Sequence, residues 1–194
     1  HYMMGNTEKA LKSFDDFTKR YPASASMPDV LFWMGEFEYN RGAYAAAELN
    51  FKELAQKYQA SPPADAAWFW AGRSAFMQKD FKRANEYIVA LLKDRPQTPR
   101  RAEARYHQAE ALCELGDFSA AVLLYDEIIK QFPDSRLWDL SFCRKGDCQY
   151  TLGSEDAGRY EEAIASYQAV LDRTEPQKEL RLRAEYGIGR CLDK

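Results

Sequence analysis

Two landmarks recur along this chain at a single spacing, and they constrain its fold more than any other feature. A small residue stands at Gly35, Gly72, Ala109 and Gly146, each 37 residues after the one before. A second stands at Ala10, Ala47, Ala84 and Ala121, again 37 apart. Large apolar residues follow the second landmark by four positions (Phe14, Phe51, Ile88, Tyr125) and by seven (Phe17, Leu54, Leu91, Ile128). Proline follows by twelve at Pro22, Pro96 and Pro133, while Gln59 takes that place once, with Pro62 and Pro63 close behind. Two landmarks holding one period over three steps imply repeated supersecondary units that stack on one another. The 194 residues then hold about five periods.

Each unit reads as two helices. In the first, the small residue lets a neighbouring helix approach closely. In the second, the small residue and the apolar residues at +4 and +7 share one face of a 3.6-residue helix. The turns between them are Gly42-Ala43-Tyr44, Lys79-Asp80-Phe81 and Gly116-Asp117-Phe118. Glycine suits the left-handed cap that ends the first helix, and Asp80 and Asp117 suit the N-cap of the second. Proline then closes the unit because it cannot continue a helix. One unit departs from the period: Gly146 to Ala163 takes 17 residues where the others take 12. The five additional residues fall within Thr151–Gly158 and are expected between the two helices. They are either a tolerated surface insertion, since lengthening a loop costs little, or a loop that contacts a partner.

Trp68, Gly72, Phe81, Ala84 and Pro96 fall at the spacing of the tetratricopeptide repeat, and the whole chain resembles that family. The period departs from the family's roughly 34 residues, and the ordinary distance from Ala84 to Pro96 puts the additional residues after the proline. The loop Pro22-Ala23-Ser24-Ala25-Ser26-Met27-Pro28, preceded by Tyr21, resembles those of a bacterial periplasmic subset. That subset includes Tol–Pal-associated repeat proteins and the repeat lipoprotein of the outer-membrane β-barrel assembly machine. The expected fold class is all-α, a right-handed superhelical solenoid of antiparallel helix pairs with about ten helices. The expected organisation is a single array over 1–194: a partial repeat over 1–26, repeats over 27–63, 64–98, 99–135 and 136–177, and a partial repeat over 178–194. Tyr2 precedes Gly5 as Tyr39 precedes Gly42, and Gly189 matches Gly146. Both ends are therefore expected to cut through a repeat, as in a piece of a longer array.

The resemblance implies that first helices line a concave face on which extended peptides or partner helices bind. Residues reaching that face should lie three and two before the central small residue, and one and four after it. The positions three before are Phe32, Phe69, Tyr106, Cys143 and Tyr186, and those two before are Trp33, Trp70, His107, Arg144 and Gly187. One after come Glu36, Arg73, Glu110, Asp147 and Arg190, and four after come Tyr39, Phe76, Cys113, Tyr150 and Asp193. The candidate partner-binding residues are therefore Phe32, Trp33, Glu36, Phe69, Trp70, Arg73, Tyr106, His107 and Glu110. Aromatic anchors beside charges are the composition of binding hot spots. The same aromatics could instead pack between helices, and the ladder Glu36, Arg73, Glu110, Asp147 could be inter-helix ion pairing. The family's carboxylate clamp of Lys, Asn and Arg has Phe, Trp and Glu in its place in the first two units, so an apolar or Pro-rich segment, or a helix carrying positive charge, fits better.

Other chemistry finds little support. With 27 Lys+Arg against 30 Asp+Glu the charge is near neutral, so nucleic acid is not an expected partner. The cluster Lys93, Arg95, Arg100 and Arg101 reads as a solvated turn or a phosphate contact. No apolar run is long enough to span a membrane, and His1-Tyr2-Met3-Met4 carries no signal-peptide pattern. Membrane contact is expected only indirectly, through an anchored parent chain. Of two histidines, only His107 could serve acid–base chemistry, and no nucleophile, phosphate or dinucleotide motif occurs. No enzyme, cofactor, metal or small-molecule substrate is expected. Cys113, Cys143, Cys148 and Cys191 lack zinc spacing. Cys143 and Cys148 lie about 140° apart on one helix and cannot bridge; Cys148 and Cys191 hold equivalent positions and could face each other, but free, buried, apolar thiols are the expected state. The expected function is a non-catalytic protein-interaction scaffold, placed by its loop style at the bacterial periplasm or the periplasmic face of the outer membrane. The alternative is a spacer or self-stacking segment of a longer array with no ligand of its own.

Overall fold

A computed structural model describes residues 7–173 and 177–194; the features read at His1, Tyr2 and Gly5 lie outside the described residues. The described residues form ten helices and no strand, the all-α class that the repeat implies. The chain divides into two compact units, His1–Pro96 and Gln97–Lys194. The first holds α1 (Thr7–Arg20), α2 (Met27–Asn40), α3 (Tyr44–Lys57), α4 (Ala64–Met77) and α5 (Phe81–Asp94). The second holds α6 (Arg101–Glu114), α7 (Phe118–Gln131), α8 (Trp138–Leu152), α9 (Gly158–Leu171) and α10 (Lys178–Leu192). Within each unit every helix packs on the next, and α4 also meets α2, as α10 meets α8. Short loops between packed neighbours make the pairs antiparallel.

The turns inside the pairs are built as read. Gly42 has φ 83° and Gly116 φ 81°. Around them Gly42 N–H donates to Tyr39 C=O and Ala43 N–H to Glu38 C=O, and Gly116 and Asp117 repeat the pair with Cys113 and Leu112. These two bonds are the Schellman closure. Lys79 adopts the same left-handed conformation at φ 62° with the same bonds to Phe76 and Ala75, at a steric cost that glycine escapes. The Asp80 carboxylate accepts from Arg83 N–H at 3.0 Å and Asp117 from Ala120 N–H at 3.1 Å, capping α5 and α7. The insertion lies between helices: α8 ends at Leu152 and α9 starts at Gly158. No left-handed residue closes α8 there; Gly153 keeps φ −58°.

The small central residues admit the +4 side chain of the partner helix. A Cβ on Gly35 would sit 2.6 Å from the Phe51 ring, and one on Gly146 would sit 2.7 Å from the Tyr167 ring. At Gly72 the closest atom is the Ile88 methyl at 3.1 Å. Ala109 carries a Cβ and clusters with Tyr125. Phe51, Ile88, Tyr125 and Tyr167 are all fully buried, so this column of plugs and sockets is the core of each pair.

Candidate functional site

The first unit places Phe32, Trp33, Glu36, Phe69, Trp70 and Arg73 on α2 and α4. Their columns meet the plug residues in a regular way. Trp33 packs on Phe14 with centroids 6.3 Å apart, and Trp70 stacks on Phe51 at 6.1 Å and 22°. Each tryptophan thus covers the +4 residue of the preceding second helix. Their exposure differs. Trp70 also meets Tyr39 edge-on at 5.1 Å and Phe69 at 5.8 Å and is half-buried. Trp33 remains 51% exposed. Phe32 meets Phe51 edge-on at 5.7 Å, Glu36 is half-buried, and Arg73 donates to the Tyr39 hydroxyl at 3.3 Å.

The column three before the small residue is mostly interior. Phe69 is 4% exposed and Tyr106 6%, which corrects the expectation that both line an open surface. The physical reason is angular: one position further round the helix from Trp33 and Trp70 turns these rings into the helix stack. Phe69 supports the tryptophan face of its own unit from beneath.

The second unit holds Tyr106, His107 and Glu110 on α6. His107 is half-buried and meets the Tyr106 ring edge-on. Glu110 accepts from the Tyr125 hydroxyl at 3.3 Å and pairs with Arg144 at 3.1 Å. The next pair of helices repeats the pattern. The Tyr167 hydroxyl donates to Asp147 at 2.8 Å, and Arg183 donates to the other Asp147 oxygen. In this unit the charge ladder is inter-helix pairing, each carboxylate held by the buried tyrosine plug of its own repeat and an arginine of the next first helix. Burial, reinforced by the Glu110 charge, pushes the Tyr106 phenol up to about 12. Burial also raises Tyr125 and Tyr167, with their carboxylate neighbours adding to it. Burial opposes the charge on Arg144, but the Tyr106 hydrogen bond and Glu110 outweigh it and hold the guanidinium protonated.

The cysteines pair differently from their repeat positions. Cys148 does not face Cys191: the Cys148 Sγ lies 3.2 Å from the Cys113 Sγ, and Cys191 belongs to a separate cluster with Cys143 and Tyr167. The equivalent positions lie under the tyrosine plugs of different pairs, Tyr125 and Tyr167, which keeps them apart. The Cys143 thiol is fully buried. In the basic stretch, Arg101 pairs with Glu127 at 2.9 Å and Arg100 with Glu103 at 3.5 Å. Sequence reasoning did not find Glu48, a buried carboxylate on α3 that accepts from Tyr87 at 2.7 Å and Gln78 at 2.6 Å and pairs with Arg83 at 3.1 Å. Its partners Gln78 and Tyr87 lie 30 and 39 residues away, and only its place on the apolar face of α3, next to Ala47, signalled burial. No helix among the described residues is long and apolar enough to cross a membrane.

Residues 1–62 and 72–136 match the family model of the tetratricopeptide repeat. That is more than half of the chain, which belongs to the tetratricopeptide repeat family. Tetratricopeptide repeats generally mediate protein–protein interactions, and their proteins are generally non-enzymatic scaffolds. No curated protein sequence matches the chain. Among solved structures it is similar to MamA at 15% identity and TM-score 0.61, over 98% of this chain and 89% of that one. It is similar to a thermophilic tetratricopeptide protein of Thermus thermophilus, TTC0263, at 19% identity and TM-score 0.58, over 96% and 93%. A Podosopora anserina putative kinesin light chain with nearly identical TPR-like repeats gives 12% identity and TM-score 0.68, over 88% of each chain. At such identities the likeness is one of fold.

Proposed function

We propose that residues 1–194 are one tetratricopeptide array whose first unit docks an extended protein segment or partner helix on a face centred on Trp33, with repeats over 27–63, 64–98, 99–135 and 136–177 between partial repeats over 1–26 and 178–194. The observation that carries this reading is the half-exposed indole of Trp33, at a position whose counterpart Trp70 is covered by neighbouring rings. A large aromatic left in water on a rigid helix is a ready anchor. Glu36 lies one turn along α2 from Trp33, on the same face, and Arg73 holds the matching place beside Trp70. An apolar or Pro-rich segment flanked by positive charge suits Trp33 with Glu36. Phe32, Phe69 and Trp70 act as the supporting layer within the first unit.

A spacer role for the second unit is the other reading. It is favoured by Glu110 and Asp147, which already accept from Tyr125 and Arg144 and from Tyr167 and Arg183 respectively. The Tyr21-Pro22 loop style supports a place beside the Tol–Pal-associated and outer-membrane assembly repeats of the bacterial cell envelope. Recovery of the natural product from the cytoplasmic fraction alone overturns that part.

The docking reading is tested by selecting displayed peptides on the purified chain. The expected binders share an aromatic or Pro-rich core with flanking Lys or Arg, and lose about tenfold or more in affinity, roughly 1.4 kcal/mol, on Trp33→Ala. Affinity unchanged in both Trp33→Ala and the Trp33→Ala/Trp70→Ala double variant, with helical circular dichroism retained, overturns it.

A further inference from the structure

Four cysteines are spread over three first helices of the second unit, and two of them meet. Cys113 lies four residues after the small residue of α6, and Cys148 two after that of α8. Stacking brings their sulfurs to 3.2 Å, and all four thiols are free. A disulfide bond is about 2.05 Å long, so a side-chain movement of roughly 1 Å closes the pair. The two sulfurs line a cleft of about 170 Å³ with Glu110, Phe118, Arg144 and Asp147, and the exposed residues Glu114 and Thr151 also line it. Cys113 is half-buried there, while Cys148 is buried behind it.

We propose that Cys113 and Cys148 form a thiol–disulfide exchange site, which small disulfides of the oxidised-glutathione type convert to an intramolecular disulfide joining α6 to α8. The Cys113 sulfur, as thiolate, attacks one sulfur of the small disulfide. One small thiolate leaves and takes up a proton, and a mixed disulfide remains on Cys113. The Cys148 sulfur, giving up its proton, then attacks the Cys113 sulfur and expels the second small thiol. Two protein thiols are oxidised, one small disulfide is reduced to two thiols, and the two protons of the protein thiols end on the leaving groups.

The order of attack follows from the surroundings. When Cys113 is ionised, the more buried Cys148 is the thiol that keeps its proton, and it then donates toward the Cys113 thiolate. This hydrogen bond lowers the Cys113 thiol, helped by Tyr125 and Arg144 against burial and Glu110, and raises Cys148. Lowered thiols at open positions are the reactive ones. The other two cysteines supply an internal contrast. Burial pushes Cys143 up to about 11 and raises Cys191, and both sit in the core around Tyr167. The product would tie together first helices of consecutive repeats across 35 residues of chain, bracing the second unit.

The test is oxidation of the reduced, folded chain by oxidised glutathione, followed by intact mass and non-reducing peptide mapping. The expected wild-type product has lost two hydrogens and carries a Cys113–Cys148 cross-link. Cys148→Ser should stop at one glutathione on Cys113, Cys113→Ser should react at least about tenfold more slowly, and Cys143→Ser should behave as wild type. Phenylarsine oxide, which bridges adjacent thiols, should protect Cys113 and Cys148 together from alkylation in the unaltered chain, so the assignment does not depend on any variant folding. Mapping of the cross-link to Cys143 or Cys191, arrest of the wild type at the mixed disulfide, no reaction at all, or no arsenical protection each overturns it.

Discussion

The two units use one set of repeat positions to opposite ends. In the first, the plugs beneath the small residues are hydrocarbon, Phe51 and Ile88, and tryptophan stands two before the small residues of α2 and α4. Rings therefore pack on rings: Trp70 stacks on Phe51 and meets Tyr39 edge-on, and Trp33 packs on Phe14. In the second unit the plugs are Tyr125 and Tyr167, and a carboxylate beside each hydroxyl draws an arginine from the following first helix. One hydroxyl on the plug decides the difference. A buried phenol needs an acceptor, the acceptor carries charge, and the charge needs a cation. The first unit is left with an apolar face that water covers at Trp33, and the second with a face whose polar groups answer one another.

The largest effect should come from removing the plugs. Phe51→Ala and Tyr125→Ala are each expected to cost about 3–5 kcal/mol in denaturant unfolding. A much smaller loss for Phe51 would break the equivalence of the two cores. Filling the sockets comes next. Gly35→Ala and Gly146→Ala should each cost about 1–3 kcal/mol, because the ring facing each must move. Gly72→Ala should cost less, since Ile88 leaves more room there; equal losses at all three would show that ring size is not what sets the fit.

Alkaline pH sharpens the contrast further. Tyr106 has its pKa raised by burial from 10.0 to about 12. The unfolded phenol loses its proton first, so this contribution to stability is complete below pH 10 and is lost as pH rises toward 12. Tyr106→Phe should flatten the fall in stability across that window, and an unchanged slope would place the titration elsewhere. The smallest effect concerns the turns. Lys79→Gly should raise stability by up to about 1 kcal/mol by relieving the left-handed lysine, and Gly42→Ala and Gly116→Ala should lower it by a similar amount. No gain at Lys79 would mean that its side chain compensates the strain.

Legibility in the sequence followed the range of the interaction. The Gly42 and Gly116 caps and the Asp80 and Asp117 N-caps involve atoms within five residues of each other, and local spacing was enough to read them. The plugs needed only the repeat, because a Gly at one landmark and a large residue four after the next recur together. The candidate face was read less completely. Spacing placed Trp33 and Phe69 in neighbouring columns, but a helix turns about 100° per residue, so one column meets water and the next meets the core. Cys148 was matched with Cys191 by equivalence in the repeat, whereas contact joins the +4 place of one first helix to the +2 place of the next. Equivalent residues of a stack are related by a whole unit and seldom touch; it is the non-equivalent ones that lie side by side.

By itself, then, the sequence determined the number and order of the helices, their caps and the small residues that receive the plugs, since all of these repeat or act over a few residues. Only the tertiary structure decided which aromatics are pillars and which stand in water, that the acids of the second unit are answered by arginines, and that Cys113 and Cys148 meet. Those depend on the rotation and offset of one helix against its neighbour, which many side chains set together and no local spacing records.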